Sequence, residues 1–320
     1  MSARLRGIAR ETEAVVAAGR YICPDGRNTS IAEDLTAALA GTRLYGPEPV
    51  AVPGAPAADR STVFEVTGES STQAARRLTR EAPGPVAVLV FASARNPGGG
   101  YLNGAQAQEE ALCRASALHA CLLRVPEFYA HHRAERDPFY TDRVIHAPGV
   151  PVFRDDRGQL LPAPYRVGFL TSPAPNAGVI RRNTPQEAHR IPAVLAGRAQ
   201  RVLEVASVCG YQRLVLGAWG CGVFQNEPAV VAQTFSSLLA DGGRFAAHFA
   251  RVTFAVLDRT GESPALREFR RAFPAGPSLG GLTAGLSRTT RRDSRSLPAA
   301  GRHASPPRAD NRPLPGVGPA

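Results

Sequence analysis

Two acids, Glu109 and Glu110, follow Gln108 seven residues after a run of three glycines, Gly98, Gly99 and Gly100. Carboxylates transfer protons, and a loop without side chains offers bare N–H groups to an anion such as a diphosphate. Three consecutive glycines give up backbone entropy, which a chain tolerates where φ must be positive or where a ligand or another backbone comes very close. A plain tight turn would meet that description. Glu109 and Glu110 would equally serve as charges favoured by the macrodipole of a first helical turn. Adjacent helical positions diverge by about 100°, so at most one of the two acids is expected to face the glycine loop squarely.

The elements around these residues read as a strand, a loop and a helix. Val86–Ala92 is an apolar run fit for a buried strand, and Gln108 opens a helix over 108–125 whose apolar face is Ala111, Ala115, Leu118 and Leu122. A second glycine-rich loop, Gly217–Phe224, leaves a strand over Arg213–Ala218. Two such loops, each at the C-terminal end of a strand and each feeding a helix, suit a dinucleotide-like ligand lying in the crest of a doubly wound sheet. Gly220 and Gly222 would let backbone approach phosphates, and Phe224 would stack on a ribose or a base, with a core role as its rival. Trp219 reads as core. Further strands are expected over Thr62–Val66, Tyr165–Thr171 and Arg251–Leu257, a strand and a loop over Tyr140–Phe153, and helices over Thr184–Cys209, stopped by Gly210, and Ala265–Phe273. Strands alternating with helices imply an α/β fold with a mainly parallel sheet.

Upstream, Ser2–Ala18 has helical spacing of apolar residues, 27–30 is a turn-like polar cluster, and Ser30 can cap a second helix. Tyr45–Arg60 reads as a Pro/Gly/Ala linker, and from Gly276 onward Pro, Gly, Ser and Arg dominate without periodicity. The expected division is an N-terminal helical accessory region (1–61), a catalytic domain (62–275) and a disordered tail (276–320).

Composition narrows the class. The chain has 320 residues, 43% hydrophobic and 20% charged, and no apolar run of membrane-spanning length. Its N-terminus lacks an apolar signal core, and its five cysteines (Cys23, Cys113, Cys121, Cys209, Cys221) have no metal spacing, so a cytoplasmic protein with reduced thiols is expected. The net charge of +11 includes 38 basic residues, all Arg; the tail carries +5 of it and the rest is dispersed, which reads as solvated surface charge. Nucleic acid and membrane are not expected partners. His119, His131 and His132 lack convergent metal ligands, and Asp155 and Asp156, followed by Arg157-Gly158, read as turn formers.

The pattern GGG, seven residues, QEE, with the flanks FASARNPGGG and AQEEALCRAS, resembles the signature of the bacterial-type poly(ADP-ribose) glycohydrolases, a branch of the macrodomain fold. ETEAVVAAGRY and Ser172–Asn176 (SPAPN) are similar to that family too. The resemblance covers nearly all of residues 5–273. It implies a three-layer α/β/α macrodomain with a mixed, mainly parallel sheet and an N-terminal helical layer. It implies hydrolysis of ribose–ribose O-glycosidic bonds in poly(ADP-ribose), with Glu110 as general acid/base and Glu109 orienting ribose hydroxyls. Asn96, Gly98, Gly99, Gly100, Gln108, Gly220, Cys221, Gly222, Val223 and Phe224 would bind substrate, without metal or organic cofactor. Expected partners are poly(ADP-ribose), ADP-ribose and ADP-ribosylated proteins, with the chain a monomer. A carboxyl group holding a proton near neutral pH needs partial burial, and adjacent acids on one helix suit a one-acid mechanism better than a flanking pair. Val90 departs from the family pattern, which more often has Asn there, so altered local hydrogen bonding is expected. A non-catalytic ADP-ribose reader and a mono-ADP-ribosyl hydrolase are the alternatives.

Overall fold

The computed structural model describes residues 2–54 and 61–274; the expected tail (276–320) and the last part of the expected linker (55–60) lie outside them. α1 (Ala3–Ala18) begins where Ser2 Oγ accepts the Leu5 N–H and stops at Gly19, which is left-handed at φ 64°. β1 (Arg20–Ile22) and β2 (Asn28–Ser30) form an antiparallel hairpin, so the polar cluster at 27–30 is mostly strand. α2 (Ala32–Gly41) follows; Ser30 Oγ accepts the Ala32 N–H at 3.3 Å, although the cap position itself falls on Ile31. Then come β3 (Arg43–Tyr45), β4 (Val63–Thr67), α3 (Ser71–Glu81), β5 (Val86–Phe91), α4 (Gln108–Ala115), α5 (Leu118–Leu122) and α6 (Pro126–Glu135). They are followed by β6 (Val144–Arg154), β7 (Leu160–Ser172), α7 (Ala177–Asn183), α8 (Ile191–Val208), β8 (Arg213–Leu216), α9 (Pro228–Leu239), β9 (Arg251–Ala255) and α10 (Pro264–Ala272).

The main sheet has seven strands in the order β3-β6-β7-β5-β8-β9-β4. β7, β5, β8, β9 and β4 are mutually parallel, and β6 and β3 complete one edge in antiparallel pairing. The sheet is thus mixed and mainly parallel, with helices on both faces, as expected. β3 belongs to the stretch expected as a helical accessory region, which therefore also supplies an edge strand.

Central β5 explains the layering. Its residues alternate between two cores, Val86, Val88 and Val90 facing one and Ala87 and Leu89 the other. The first core takes in α1, α2, α3, α4 and α6 through residues such as Ala9, Leu35, Leu78, Leu112 and Phe128; the second takes in α8, α9 and α10 through Val202, Phe235 and Phe269. Trp219 is fully buried in the second. No helix among the described residues is long and apolar enough to cross a membrane.

Two expected helices are broken. The helix over 108–125 divides at Ser116, which is extended and bridges to Val152 of β6, while the Ala117 N–H donates to Pro151 O at 3.1 Å. β6 has a register shift between Val152 and Arg154, and the chain from α4 pairs with it there instead of continuing its own helix. The helix over 184–209 is a 3-10 segment (Pro185–Arg190) followed by α8, with Pro185 and Pro192 each in a first turn, where a missing N–H is tolerated. Asp155 and Asp156 do form the β6–β7 turn: Asp155 Oδ1 accepts the N–H groups of Arg157 and Gln159 at 2.9 and 2.8 Å.

Arg213, at the start of β8, ties that strand to α3. Its buried guanidinium donates to Leu78 O at 2.6 Å, to Ala82 O at 2.8 Å and to Gly84 O, covering carbonyls left free where α3 ends. Arg213→Met keeps the apolar stem and strands those carbonyls, so chemical denaturation should show a loss of about 2–4 kcal/mol.

Candidate active site

The acids stand at the head of α4, where β5 ends. Asn96 O accepts the Gly99 N–H at 2.9 Å, closing a turn, and Ser93 Oγ accepts the Asn96 N–H at 3.1 Å. Gly98 and Gly99 are left-handed, at φ 67° and 58°. The loop therefore folds back across the N-terminal end of α4. Side chains of a first helical turn lean toward that end, and both acids reach the same glycine. A Cβ at Gly99 would stand 2.5 Å from Glu110 Oε1 and 3.1 Å from Glu109 Oε2. The expectation that only one acid could face the loop fails because the loop lies over the end of the helix, where the 100° divergence matters little.

Each carboxylate is held by one oxygen. Glu109 Oε2 accepts the Ser93 N–H at 2.7 Å, and Glu110 Oε1 accepts the Gly100 N–H at 2.9 Å. The other oxygens, Glu109 Oε1 and Glu110 Oε2, are buried with no hydrogen-bond partner among the described residues, in side chains only 3% and 8% exposed. Burial pushes the Glu109 carboxyl well above the usual range; the nearby charge of Glu110 adds to this, against the Ser93 and Gly98 N–H groups. Burial also raises the Cys113 thiol and the Tyr129 phenol well above their ordinary values, with Glu109 contributing to both. The Tyr129 hydroxyl is likewise unpartnered. Buried Arg114, one turn beyond Glu110, donates to Ala105 O at 2.7 Å.

A second network fixes the loop from below. Tyr101, directly after the glycines, donates to Ala9 O at 3.1 Å and to Glu13 Oε1 at 3.0 Å. His119 Nδ1 lies 3.1 Å from the same oxygen, and its ring packs 5.0 Å from that of Tyr101. The His119 hydrogen bond holds the Glu13 carboxyl below its usual range. A Cβ at Gly98 would stand 3.2 Å from His119 Cδ2. His119 is therefore a buried partner of α1, and His132 is also buried, bonded to Phe128 O and Thr141 Oγ1 at 2.8 Å.

Gln108 is placed otherwise than expected. β8 pairs with β5 only through Val88, and beyond it the Gln108 amide takes over: Oε1 accepts the Phe91 N–H at 2.9 Å, while Nε2 donates to Leu89 O at 2.8 Å and Ser71 Oγ at 3.1 Å. With both amide atoms engaged, Gln108 is a clamp between β5 and α4 and not a free ligand donor. Val90 is fully buried and in register with Thr171, whose buried Oγ1 has no partner among the described residues. Asn96 is exposed at the rim.

The second loop leaves β8, the parallel neighbour of β5. Trp219 Nε1 donates to Ser172 O at 3.0 Å, and a Cβ at Gly220 would stand 2.6 Å from Ala174 Cβ, so the loop packs on the segment 172–176. Gly220 serves that protein contact. Gly222 faces open space, and no acceptor among the described residues takes the N–H groups of Gly222, Val223 or Phe224. Val223 is 81% exposed, and burial raises the Cys221 thiol to about 12. Such a run of free N–H groups beside exposed apolar surface is fit to wrap a phosphate. Phe224 is half-buried, its ring 5.8 Å from Tyr140. Tyr140 holds φ at 59°, a conformation that bulky residues rarely adopt, and so do Arg136, four residues earlier, and Gln225, next to Phe224. Sequence reasoning did not single out Ser93 or Tyr140: Ser93 acts largely through its backbone N–H, and a positive φ at tyrosine has no sequence signature.

The family profile described as the microbial-type PARG catalytic domain matches residues 9–155. The poly(ADP-ribose) glycohydrolase from Thermomonospora curvata, bound to the inhibitor ADP-HPD, is similar at 52% identity and TM-score 0.80, over 85% of this chain and 100% of that one. The poly(ADP-ribose) glycohydrolase from Deinococcus radiodurans in complex with ADP-ribose is similar at 46% identity and TM-score 0.69, over 75% of this chain and 96% of that one. The comparison with curated proteins returns no match.

Two measurements probe the geometry. Gly99→Ala places a methyl against both carboxylates at a left-handed φ; unfolding experiments should show a loss of about 2–4 kcal/mol, of which ~1–2 is backbone strain. Glu109 keeps its proton in the folded state at pH values where the unfolded chain has lost it, so its contribution to stability is full below the ordinary Glu value of 4.5 and is lost as pH rises toward the folded value. Glu109→Gln, which retains an acceptor for Ser93, should therefore gain stability relative to the parent as pH rises from 4.5 to 8. A difference that stays constant over that range would contradict the raised pKa.

Proposed function

Because this chain belongs to the microbial-type poly(ADP-ribose) glycohydrolases, we propose that its paired carboxylates and two glycine loops divide the work of cleaving poly(ADP-ribose), with Glu110 as the general acid/base. The chain is a glycoside hydrolase of the ribose–ribose O-glycosidic bond, and it releases ADP-ribose from poly(ADP-ribose), including polymer attached to proteins.

The single observation that carries the division of roles is the unpartnered pair Glu109 Oε1 and Glu110 Oε2, each buried while its sister oxygen is fixed by a loop N–H. Glu110 transfers the proton on Oε2 to the glycosidic oxygen as the bond to the anomeric carbon breaks and an oxocarbenium-like centre forms. The carboxylate then takes a proton from the water that adds to that carbon, and Glu110 is protonated again. Gly100 N–H, on Oε1, keeps the carboxyl plane oriented through both steps. Burial raises the Glu109 carboxyl and favours its protonated form, in which it can donate to a ribose hydroxyl and spares the pair two adjacent buried charges. Both acids approach Gly99 from one side, which supports one acid acting twice over two acids flanking the sugar. The diphosphate lies against the free N–H groups of Gly222, Val223 and Phe224, and the Phe224 ring stacks on the ligand. The chemistry falls within 62–275, with α1 buttressing the glycine loop through Glu13.

A reader of ADP-ribose would gain nothing from two desolvated acids, which face an anionic ligand. Incubation with poly(ADP-ribose), mono-ADP-ribosylated protein and free ADP-ribose in parallel separates hydrolase from reader and from mono-ADP-ribosyl hydrolase. Glu110→Gln should lower ADP-ribose release from polymer by about 10²–10⁴-fold while ADP-ribose affinity measured by calorimetry changes little. Release at the parent rate would remove Glu110 from the acid role.

A further inference from the structure

Three arginines are joined through backbone carbonyls beside the Ser93–Asn96 turn. Arg95 lies between Ser93, which anchors Glu109, and Asn96, which closes the glycine turn. Arg133, on α6, donates to Arg95 O at 2.6 Å, and Arg95 donates in turn to the carbonyl of Arg136, just past the end of α6, at 3.3 Å. All three side chains are exposed. Among the described residues none of them has a carboxylate within ion-pair distance, although Glu135 and Asp137 flank Arg136 in sequence. Asp137 Oδ1 is occupied by the Phe139 N–H at 2.8 Å. Some other surface arginines do have a counter-charge, as Arg181 with Glu227 and Arg166 with Asp34; what sets these three apart is that they are joined to one another. Like charges gathered by one another's carbonyls, without a counter-charge, repel, and an anionic partner would relieve that repulsion.

The cleavage reaction supplies such a partner. The leaving group is the rest of the polymer, whose nearest unit carries its own diphosphate. With the terminal unit between the two glycine loops, the chain beyond the glycosidic oxygen has to pass the rim near the Ser93–Asn96 turn. We infer that Arg95, Arg133 and Arg136 form a subsite for the diphosphate of the unit adjoining the one cleaved. This rests on the hydrolase reading above, and it makes affinity depend on chain length: the cluster is idle with free ADP-ribose and engaged by polymer. Arginine's planar fork suits a phosphate bidentately, and the exposed setting makes the contribution salt-sensitive.

The test compares Arg95→Gln/Arg133→Gln with its parent, both in a Glu110→Gln background so that binding is read without turnover. ADP-ribose, poly(ADP-ribose) chains of several units and a single-stranded oligonucleotide of matched phosphate number are titrated at low and at physiological salt. The expected result is an ADP-ribose Kd unchanged within about twofold. For the polymer, Kd should rise about five- to tenfold at low salt, and the slope of log Kd against log salt should fall by roughly 1, as for loss of one or two phosphate contacts on a flexible strand. Unchanged polymer affinity overturns the subsite. An equal loss for ADP-ribose and polymer overturns it by placing the arginines in the terminal-unit site, and a loss confined to the oligonucleotide overturns it in favour of nucleic acid. Polymer digestion by the unmodified protein is followed separately, so failure of the hydrolase reading shows as absent ADP-ribose release whatever the binding result.

Discussion

At Gly99 the main chain runs against two carboxylates at once, and most of the cleft follows from holding it there. The loop reaches that position only through left-handed φ at Gly98 and Gly99 and the turn closed by Asn96. It is kept there by Tyr101, whose hydroxyl is shared between the α1 backbone and Glu13, with His119 on the same carboxylate. Helix α1, distant from β5 in sequence, is thus part of the scaffold of the acids. A glycine loop with so much conformational freedom would otherwise sample many arrangements, and the buried Glu13–Tyr101–His119 contacts select one.

The electrostatics follow from the same packing. Two acids removed from water and set side by side cannot both ionise cheaply, and the two loop N–H groups offset only one oxygen of each. The outcome is a pair in which Glu109 is pushed toward its neutral form and one oxygen of each acid is buried without a partner among the described residues. A ribose is built to satisfy such groups, since each hydroxyl both donates and accepts.

The sheet class was legible because the strongest signals were unambiguous: β5 is a continuous apolar run, and both glycine loops follow strands. The acids were legible through the spacing of GGG and QEE. What sequence hid was mostly tertiary. No periodicity marks Ser116, because α4 ends there only on meeting β6. The short strand β3 carries no pattern of its own and exists by pairing with β6. The capping box of Ser70 and Gln73, by contrast, was a readable start for α3 that went unassigned. The divergence rule misled for Glu109 and Glu110 because it describes a helix viewed from the side, whereas the loop meets this helix on its end. Val90 lies in register with Thr171, whose buried hydroxyl has no partner among the described residues.

Gln108 carries a wider implication. Its amide stands in for a missing stretch of β8, offering Phe91 an acceptor and Leu89 a donor as a neighbouring strand would. Glutamate could supply only the first of these, so the three adjacent polar residues of the motif follow different rules of replacement. The first must read as an amide, because it continues the sheet; the next two each set a buried carboxylate against a loop N–H. On the β8 side of β5, beyond Val88, the end of the strand is therefore held to α3 and α4 by a single side chain.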